Sequence, residues 1–386
     1  MEYFENKNPL IWVEIDKGAI EHNISAIKSL LNDNVSFCAV VKSNAYGHGI
    51  LEVSRIALGA GAGWLGVNSL SEAKFLRKNG FNVPIIILGY VQLNEYEEII
   101  ENDLRCVIYN LENLREFDRA ASKLNRTAYV HLKLETGTNR QGIAYEDLPD
   151  FAKLLKASKN LKLEGLSTHF ANIDDTSDQT YADFQKENFN RSASFLEEDG
   201  FKIDIKHTAC SAAAILFPET YHNMVRVGIS MYGMWPSRET YLSSVREDVP
   251  KIEFKPALTW KTKIAQIKTI GKGEYVGYGC SWRSSQDNTK IAVCPVGYFD
   301  GYDRLISNNG YVIIGDKRAP ICGRVCMNII MVDVTHIEGA ALEDEVILLG
   351  STKSETISAE LMASWIGTIN YEVTTRINPL LPRITN

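Results

Sequence analysis

The segment FCAVVKSNAYGHG, residues 37–49, joins an apolar run to a stretch of polar and small residues at Lys42. An unbroken apolar run of this length is typical of a strand buried on both faces, as in a parallel sheet. Similar runs recur along roughly the next 180 residues, separated by polar stretches with helical periodicity such as 71–79 and 179–200. The further runs are residues 64–68, 85–89, 105–110, 129–134, 163–169, 205–209 and 224–229.

Eight strand–helix units in roughly 200 residues predict an α/β fold, a (β/α)8 barrel of the TIM type. From about residue 245 the pattern changes to short, closely spaced strands with Gly and Pro between them, which predicts a C-terminal all-β domain. We therefore expect a barrel domain over residues 14–244 and a β domain over 245–386. Residues 1–13 contain a strand that we expect to pair with the C-terminal domain.

Composition narrows the functional classes. The net charge of −7 is spread along the chain without a Lys/Arg cluster, so a nucleic-acid partner is not expected. There is no apolar stretch long enough for a membrane span, and the first residues do not resemble a signal peptide, which predicts a cytoplasmic protein. The seven cysteines are scattered, which favours reduced thiols and no metal site.

Polar residues that end or follow the predicted barrel strands are candidates for function, because reacting groups in such barrels gather at the carboxyl ends of the strands. Lys42 follows the first run directly, where its amine is well placed for a Schiff base. A surface lysine that merely ends a strand fits the position equally well. The other candidates of this kind are Lys133, Arg140, His169, Ser211 and Arg226.

The segment AVVKSNAYGHG resembles the cofactor-lysine segment of the alanine racemases, which are fold III pyridoxal-phosphate enzymes. The resemblance continues through HLKLETGTNRQGI, HTACSAAAILFP, NMVRVGISMYG, VGYG, PVGYFDGYDR, APICGRVCMNIIMVDVT and INYE, in the family's order and over nearly the whole chain. It implies that the protein uses pyridoxal 5'-phosphate to interconvert L-alanine and D-alanine. It also implies a small amino acid as substrate and a role in supplying D-alanine for peptidoglycan.

The resemblance assigns the acid/base roles. Lys42 would carry the cofactor and act as the base on one face of the substrate, and Tyr278 would be the second base on the other face. In the family this tyrosine reaches the barrel of the other subunit, which implies a homodimer with shared active sites. Arg140 would contact the tyrosine and the substrate carboxylate. Arg226 would face the pyridine nitrogen; since arginine keeps its protons, that nitrogen would stay largely unprotonated, which favours racemisation over transamination.

The remaining assignments are also implied by the resemblance. Lys133 would be carbamylated and hold Arg140, and His169 would support the arginine and tyrosine network. Without the resemblance, a core histidine, a helix N-cap at Ser211 and an arginine tied to a neighbouring carboxylate would fit these positions as well. Cofactor-phosphate binding falls to Tyr46, Ser211, Gly228, Ile229 and Tyr371, and the substrate entrance or carboxylate contact to Tyr298, Met327 and Asn328.

Several positions depart from the usual family pattern. Asn328 stands where an aspartate is usual, Cys210 replaces an asparagine, and Asn139 and Thr138 replace a glycine and a methionine, respectively. These changes leave the two bases in place but open the alternative of a racemase for serine or for a broader range of amino acids, although the bulky Tyr371 favours alanine. Two other classes remain, a fold III decarboxylase and a cofactor-binding protein without turnover. The complete C-terminal half favours an enzyme.

Overall fold

The structure, a computed structural model, describes residues 8–245 and 251–386. The described residues form two compact units. One contains residues 8–17, Tyr46–Glu52 and Pro256–Asn386, and the other contains Gly18–Ala45 and the described part of Val53–Lys255. The predicted domain ranges 1–13 and 245–386 include residues 1–7 and 246–250, which lie outside the described residues, and the predicted boundaries stay predictions.

Strand β1 (Ile11–Ile15) belongs to the first unit, and the second unit is built on an eight-stranded parallel sheet. Its strands follow the order β8-β7-β6-β5-β4-β3-β2-β9, and Arg226 N–H donates to the Ala209 carbonyl at 3.0 Å where the two ends of that order meet. The strands are β2 (Ser36–Val40), β3 (Trp64–Val67), β4 (Ile85–Ile87), β5 (Arg105–Ile108), β6 (Ala128–Lys133), β7 (Leu161–Ser167), β8 (Ile205–His207) and β9 (Met224–Val227). The predicted barrel fold is confirmed, because each of the eight apolar runs coincides with one of these strands.

Helices alternate with the barrel strands, as expected for crossover connections. They are Lys17–Lys28, Ile50–Gly59, Leu70–Lys78, Tyr96–Glu101, Leu111–Leu124, Leu148–Ala157, Thr180–Glu198, Ser211–Leu216 and Arg238–Ser244. The helix Leu70–Lys78 begins at a capping box. The Ser69 hydroxyl accepts from Glu72 N–H, and the Glu72 carboxylate accepts from Ser69 N–H. None of the helices within residues 8–245 and 251–386 is long and apolar enough to span a membrane.

The C-terminal part of the first unit is mostly β, as predicted. Its largest sheet has the order β16-β15-β18-β10-β1-β20 with β19 on β18, and smaller sheets join β11-β14-β17 and β12-β13. The strands are β10 (Leu258–Lys263), β11 (Gln266–Ile270), β12 (Tyr275–Val276), β13 (Trp282–Arg283), β14 (Thr289–Cys294), β15 (Tyr311–Ile314), β16 (Lys317–Pro320), β17 (Ile330–Asp333), β18 (Glu345–Ser351), β19 (Thr356–Ile357) and β20 (Arg383–Thr385). Two helices, Ala359–Ile366 and Asn370–Thr375, complete this unit.

The turn after β2 has an unusual backbone. Ser43, Asn44, Ala45 and Tyr46 all have φ between 53° and 56°, the left-handed helical region. Each non-glycine residue in this region costs about 1–2 kcal/mol, so other contacts must hold the turn. One of them is a hydrogen bond of 2.6 Å from Ser43 N–H to the Glu72 carboxylate. The capping residue of the helix Leu70–Lys78 thus also fixes the backbone next to Lys42.

Candidate active site

The carboxyl ends of the barrel strands bring several predicted site residues to the same end of the sheet. Lys42 lies two residues after the end of β2, Lys133 ends β6, and Ser211 opens the helix after β8. Arg226 lies within β9, and His169 follows β7 by two residues. This placement is the one in which barrel enzymes assemble catalytic groups, since the carboxyl ends of all parallel strands face the same way.

The Lys42 amine is half-buried, and its surroundings favour the neutral form. Burial lowers the pKa of Lys42 most, and the nearby cations Arg140 and Arg226 lower it further, while the Glu72 carboxylate partly opposes them. A neutral amine is the form that can attack a carbonyl carbon or accept a proton. The environment therefore suits Lys42 for covalent and base chemistry.

Arg226 is a buried cation, with 7 % of the residue exposed. Its Nη1 group donates to the His207 carbonyl and to His207 Nδ1 at 2.9 Å, and Nη2 donates to the carbonyls of Thr168 and Thr208 at 2.8 and 3.2 Å. These bonds use four of the five N–H groups of a guanidinium. The fifth, on Nε, has no hydrogen-bond partner within the described residues. The alternative of an arginine tied to a carboxylate is not what is found, because none of the ion pairs between described residues involves Arg226.

Lys133 and His169 lie in the same positive environment. Lys133 Nζ donates to the Gln141 side chain at 3.0 Å, and Gln141 in turn donates to the Tyr109 hydroxyl at 3.0 Å. Burial, together with Arg226 and Arg140, lowers the pKa of Lys133 to about 8. Burial and the same arginines lower the pKa of His169 to about 3, so this imidazole is neutral at physiological pH.

Ser211, Gly228 and Ile229 are all buried. Gly228 N–H donates to Ser211 Oγ at 3.0 Å, so the start of the helix Ser211–Leu216 is tied to the loop after β9. Ile229 follows in that loop and is also buried. A hydroxyl and backbone N–H groups at strand ends are the donors that phosphate groups commonly bind in proteins.

Tyr46 and Tyr371 come together in the other compact unit, with ring centroids 6.1 Å apart. Gly47 allows this approach: it has a φ of 88°, and a Cβ there would lie within 3.0 Å of the Thr374 carbonyl. Arg383 holds the same turn by donating to the Gly47 carbonyl from Nη2 at 2.9 Å and from Nε at 3.1 Å. Tyr46, the last residue of the left-handed turn, is therefore anchored to the C-terminal residues.

Tyr278 is strongly exposed, with 72 % of the residue accessible to solvent. It stands between Gly277 and Gly279, which both have positive φ, so the phenol projects from a sharply turned backbone. Tyr298 is 43 % exposed, and its N–H donates to the Cys326 carbonyl, which ties it to the loop that carries Met327. Tyr278 and Tyr298 thus present accessible side chains.

Asn328, the most notable departure from the family pattern, has a local partner. Its side chain hydrogen-bonds to the buried carboxyl of Asp300, which also accepts from Gly297 N–H at 2.9 Å. Burial nevertheless raises the pKa of Asp300. An amide at position 328 adds no further negative charge beside a carboxyl that is already costly to ionise.

Two family models match the chain in tandem. The alanine racemase N-terminal domain covers residues 15–236, and the alanine racemase C-terminal domain covers residues 257–385. The chain belongs to the alanine racemase family. It is therefore an enzyme of the isomerase class.

Relatives of known name agree with this membership. A protein from Desulforamulus reducens named alanine racemase is 40 % identical over 376 residues, which is 97 % of this chain and 98 % of the relative. The crystal structure of alanine racemase from Bacillus anthracis with bound L-Ala-P has a TM-score of 0.91 at 36 % identity, covering 99 % of this chain and 96 % of that one. A histidine racemase from Leuconostoc mesenteroides shares the fold at 27 % identity and a TM-score of 0.89, covering 99 % of both chains.

One further group of polar residues in the barrel strands was not predicted from the sequence. His131 in β6 and His207 in β8 form a buried histidine pair, with His131 Nδ1 and His207 Nε2 2.9 Å apart. His131 Nε2 lies 3.0 Å from the Glu164 carboxylate in β7. His131 and Glu164 lie in the interior of their strands, and His207 is the last residue of β8. The sequence signal that could have indicated them is the presence of polar residues in the apolar runs YVHLKL, LEGLS and IKHTA, which are expected to be buried.

Proposed function

We propose that this member of the alanine racemase family interconverts L-alanine and D-alanine by a two-base mechanism. The observation that carries the proposal is Lys42, an amine near the end of a barrel strand whose pKa is lowered by burial and by the nearby cations Arg140 and Arg226. The close relatives named alanine racemase support the choice of substrate.

The residues present fit pyridoxal phosphate as the cofactor. Lys42 would bind it covalently, and the Nε–H of Arg226, which has no acceptor among the described residues, would donate to the pyridine nitrogen. Ser211, Gly228 and Ile229 would bind the phosphate together with Tyr46 and Tyr371, and His169 would contribute as a neutral neighbour. When bound, this cofactor supplies an electron-withdrawing ring that stabilises negative charge at the substrate α-carbon.

Two bases are needed because the proton must leave one face of the α-carbon and return on the other. Lys42 would hold or move the proton at its Nζ atom on one face. Tyr278 of the partner subunit would do so at its hydroxyl on the opposite face, so that the homodimer shares its active sites. The exposure of the Tyr278 side chain and its position between two glycines of positive φ support a role outside its own unit.

Arg140 would bind the substrate carboxylate, with Tyr298, Met327 and Asn328 lining the approach. Lys133 would be carbamylated: its neutral amine adds to CO2, a proton leaves, and the product carries a negative charge that attracts Arg140. A pKa of about 8 supports this step, because a considerable fraction of the amine is neutral near physiological pH.

We also propose that the protein is cytoplasmic and supplies D-alanine for peptidoglycan. The test of the activity is chiral chromatography of purified protein with pyridoxal phosphate and L-alanine, L-serine or L-lysine offered separately. Fast conversion of alanine and slow conversion of the others is expected. Comparable rates on serine or lysine would support the second candidate, a broader racemase, and no conversion of any of them would reject both.

The second candidate has one specific observation in its favour. The amide of Asn328 lies where the family usually carries a carboxylate, and it hydrogen-bonds to Asp300. Loss of that negative charge alters the electrostatics of the entrance through which a polar amino acid would pass. The histidine racemase of the same fold shows that the fold alone does not choose the amino acid.

A further inference from the structure

We propose that Glu164 is a positioning residue for Arg226 and acts through the buried histidine pair, whose tautomers it fixes. The inference rests on the proposed function where Arg226 faces the cofactor, but the placement of the histidine protons stands on the geometry alone. The chain of contacts runs from Arg226 to His207, His131, Glu164 and Arg105.

Each proton in this chain has one possible place. Arg226 has donors only, so His207 Nδ1 must accept its hydrogen bond at 2.9 Å, and the His207 proton must be on Nε2. That Nε2–H then donates to His131 Nδ1 at 2.9 Å, which leaves the proton of His131 on Nε2.

The other end of the chain gives the same answer. An ionised carboxylate only accepts, so Glu164 requires a proton on His131 Nε2, 3.0 Å away. Both histidines are therefore in the Nε2–H form, with every donor facing an acceptor. The carboxylate at one end and the guanidinium at the other therefore favour the same tautomer of each histidine.

The charges of the chain are consistent with this assignment. Burial lowers the pKa of His131 and holds the pKa of His207 well below its usual value, with Arg226 adding to the effect on His207. Burial would raise the pKa of Glu164, but the bond to His131 and the charge of Arg105 bring it below its ordinary value. Arg105 Nε lies 3.3 Å from the same carboxylate. Two neutral imidazoles thus separate a carboxylate from a buried cation.

The backbone is shaped to admit the chain. In the pairing of β6 with β7, Val130 lies opposite Leu163 and His131 opposite Gly165, so Glu164 is the extra residue of a bulge. A bulge redirects a side chain that the regular alternation would place elsewhere. Gly165 leaves the space for the imidazole, since a Cβ there would lie within 3.0 Å of His131 Nδ1. Both features serve the contact between Glu164 and His131.

The consequence for Arg226 is orientation. His207 Nδ1 can accept the hydrogen bond from Arg226 Nη1 only in the tautomer that Glu164 favours through His131. The alternative tautomer would place an N–H against the guanidinium, break that bond and loosen the direction of the Nε–H. A carboxylate on the far side of the histidine pair would in this way set the geometry of the group that faces the barrel end.

The first test needs no cofactor and no substrate. Selective labelling with [15N]histidine, of which the chain has seven, allows the imidazole nitrogens of the unloaded protein to be assigned by NMR. We expect His131 and His207 to show protonated Nε2 and unprotonated Nδ1 between pH 6 and 8. A proton on Nδ1 of either residue, or a charged imidazole in this range, would overturn the proposal without any variant having to fold.

The second test is Glu164→Gln, which keeps the size of the side chain but offers His131 either a carbonyl oxygen or an N–H. We expect a second tautomer of the histidine pair to become populated, because Arg226 alone then favours the Nε2–H form. We also expect kcat of the loaded enzyme to fall roughly 10-fold with KM nearly unchanged, as for one charge-assisted hydrogen bond. The matched control is Glu197→Gln, which removes an ion pair to Lys206 and should leave the NMR signals and kcat unchanged. Unchanged tautomers in Glu164→Gln would overturn the inference.

These outcomes are separable from the proposed function. If the protein converts another amino acid instead of alanine, the histidine tautomers are unaffected and the kcat comparison is made with that amino acid. If the tautomers are as expected but kcat and KM of Glu164→Gln equal those of the unaltered enzyme, Glu164 orders the histidines without positioning Arg226, and the inference fails while the proposed racemase activity stands.

Discussion

Gly165 lies opposite His131 in the β6–β7 pair, and there is no room for a Cβ between them. We predict that Gly165→Ala lowers the free energy of unfolding by about 1–3 kcal/mol, the usual cost of adding a carbon to a filled interior. The measurement is denaturant unfolding followed by circular dichroism. Gly59→Ala is the matched control: Gly59 ends a helix, and a Cβ added there would meet no atom within 4 Å, so stability should stay equal or rise slightly.

The barrel strands could be predicted from sequence because burial on both faces leaves nearly continuous apolar runs, such as 37–41 and 85–89. The left-handed turn from Ser43 to Tyr46 could not. None of its residues is a glycine, and the conformation depends on distant contacts such as the bond from Ser43 to Glu72. Local preferences would have predicted an ordinary helix start at that point.

The candidate-site residues likewise fall into those that the sequence could predict and those that it could not. Lys42 and Arg226 stand at or near strand ends, where a general property of barrels indicates function. His131 and Glu164 lie in the interior of their strands, and their contact depends on a bulge whose register only the folded sheet reveals. Resemblance supplied roles for single residues, whereas the hydrogen bonds that orient Arg226 join strands far apart in the sequence and have no signature in any one segment.

Lys42→Ala tests the covalent role of the amine. We predict that the variant binds pyridoxal phosphate without the absorbance of the lysine-bound form and loses racemisation by at least about 10³-fold, since both the attachment point and one base are removed. Ultraviolet–visible spectra and chiral chromatography measure the two effects. Lys74→Ala removes an exposed lysine that pairs with Glu98 and should match the unaltered enzyme in both. A normal spectrum in Lys42→Ala would contradict the assignment.

A shared active site can be tested by mixing two inactive variants. In a dimer of Lys42→Ala with Tyr278→Phe, one site combines the intact Lys42 of one chain with the intact Tyr278 of the other if the tyrosine acts across the dimer. Refolding or co-expressing the variants at equal amounts gives about half mixed dimers, so we expect about a quarter of the normal activity. Each variant alone is the control. Activity no greater than that of the separate variants would place Tyr278 in its own subunit's site or outside catalysis.

Lys133 is predicted to gain the mass of one CO2 in bicarbonate solution. Burial and the arginines lower its pKa to about 8, so its neutral fraction rises as the pH increases from 7 through 8. Carbamate formation should increase over the same interval, because only the neutral amine adds to CO2. Native mass spectrometry of the unaltered protein and of Lys133→Gln distinguishes this site from others. Lys202, with 92 % of its side chain exposed, should stay unmodified.

Asn328→Asp should make stability depend on pH. Burial already raises the pKa of Asp300, and a carboxylate at position 328 would replace the hydrogen-bond donor by a second negative charge and raise it further. A carboxyl whose folded-state pKa lies above its unfolded-state value stabilises the fold only while it is protonated, so this contribution is lost as the pH rises. We therefore expect the variant to match the unaltered protein at low pH, where both carboxyls are protonated, and to become less stable by about 1 kcal/mol at pH 7. Urea unfolding at several pH values measures the difference, and a gap that stays constant from low pH to pH 7 would show that the two carboxyls do not interact.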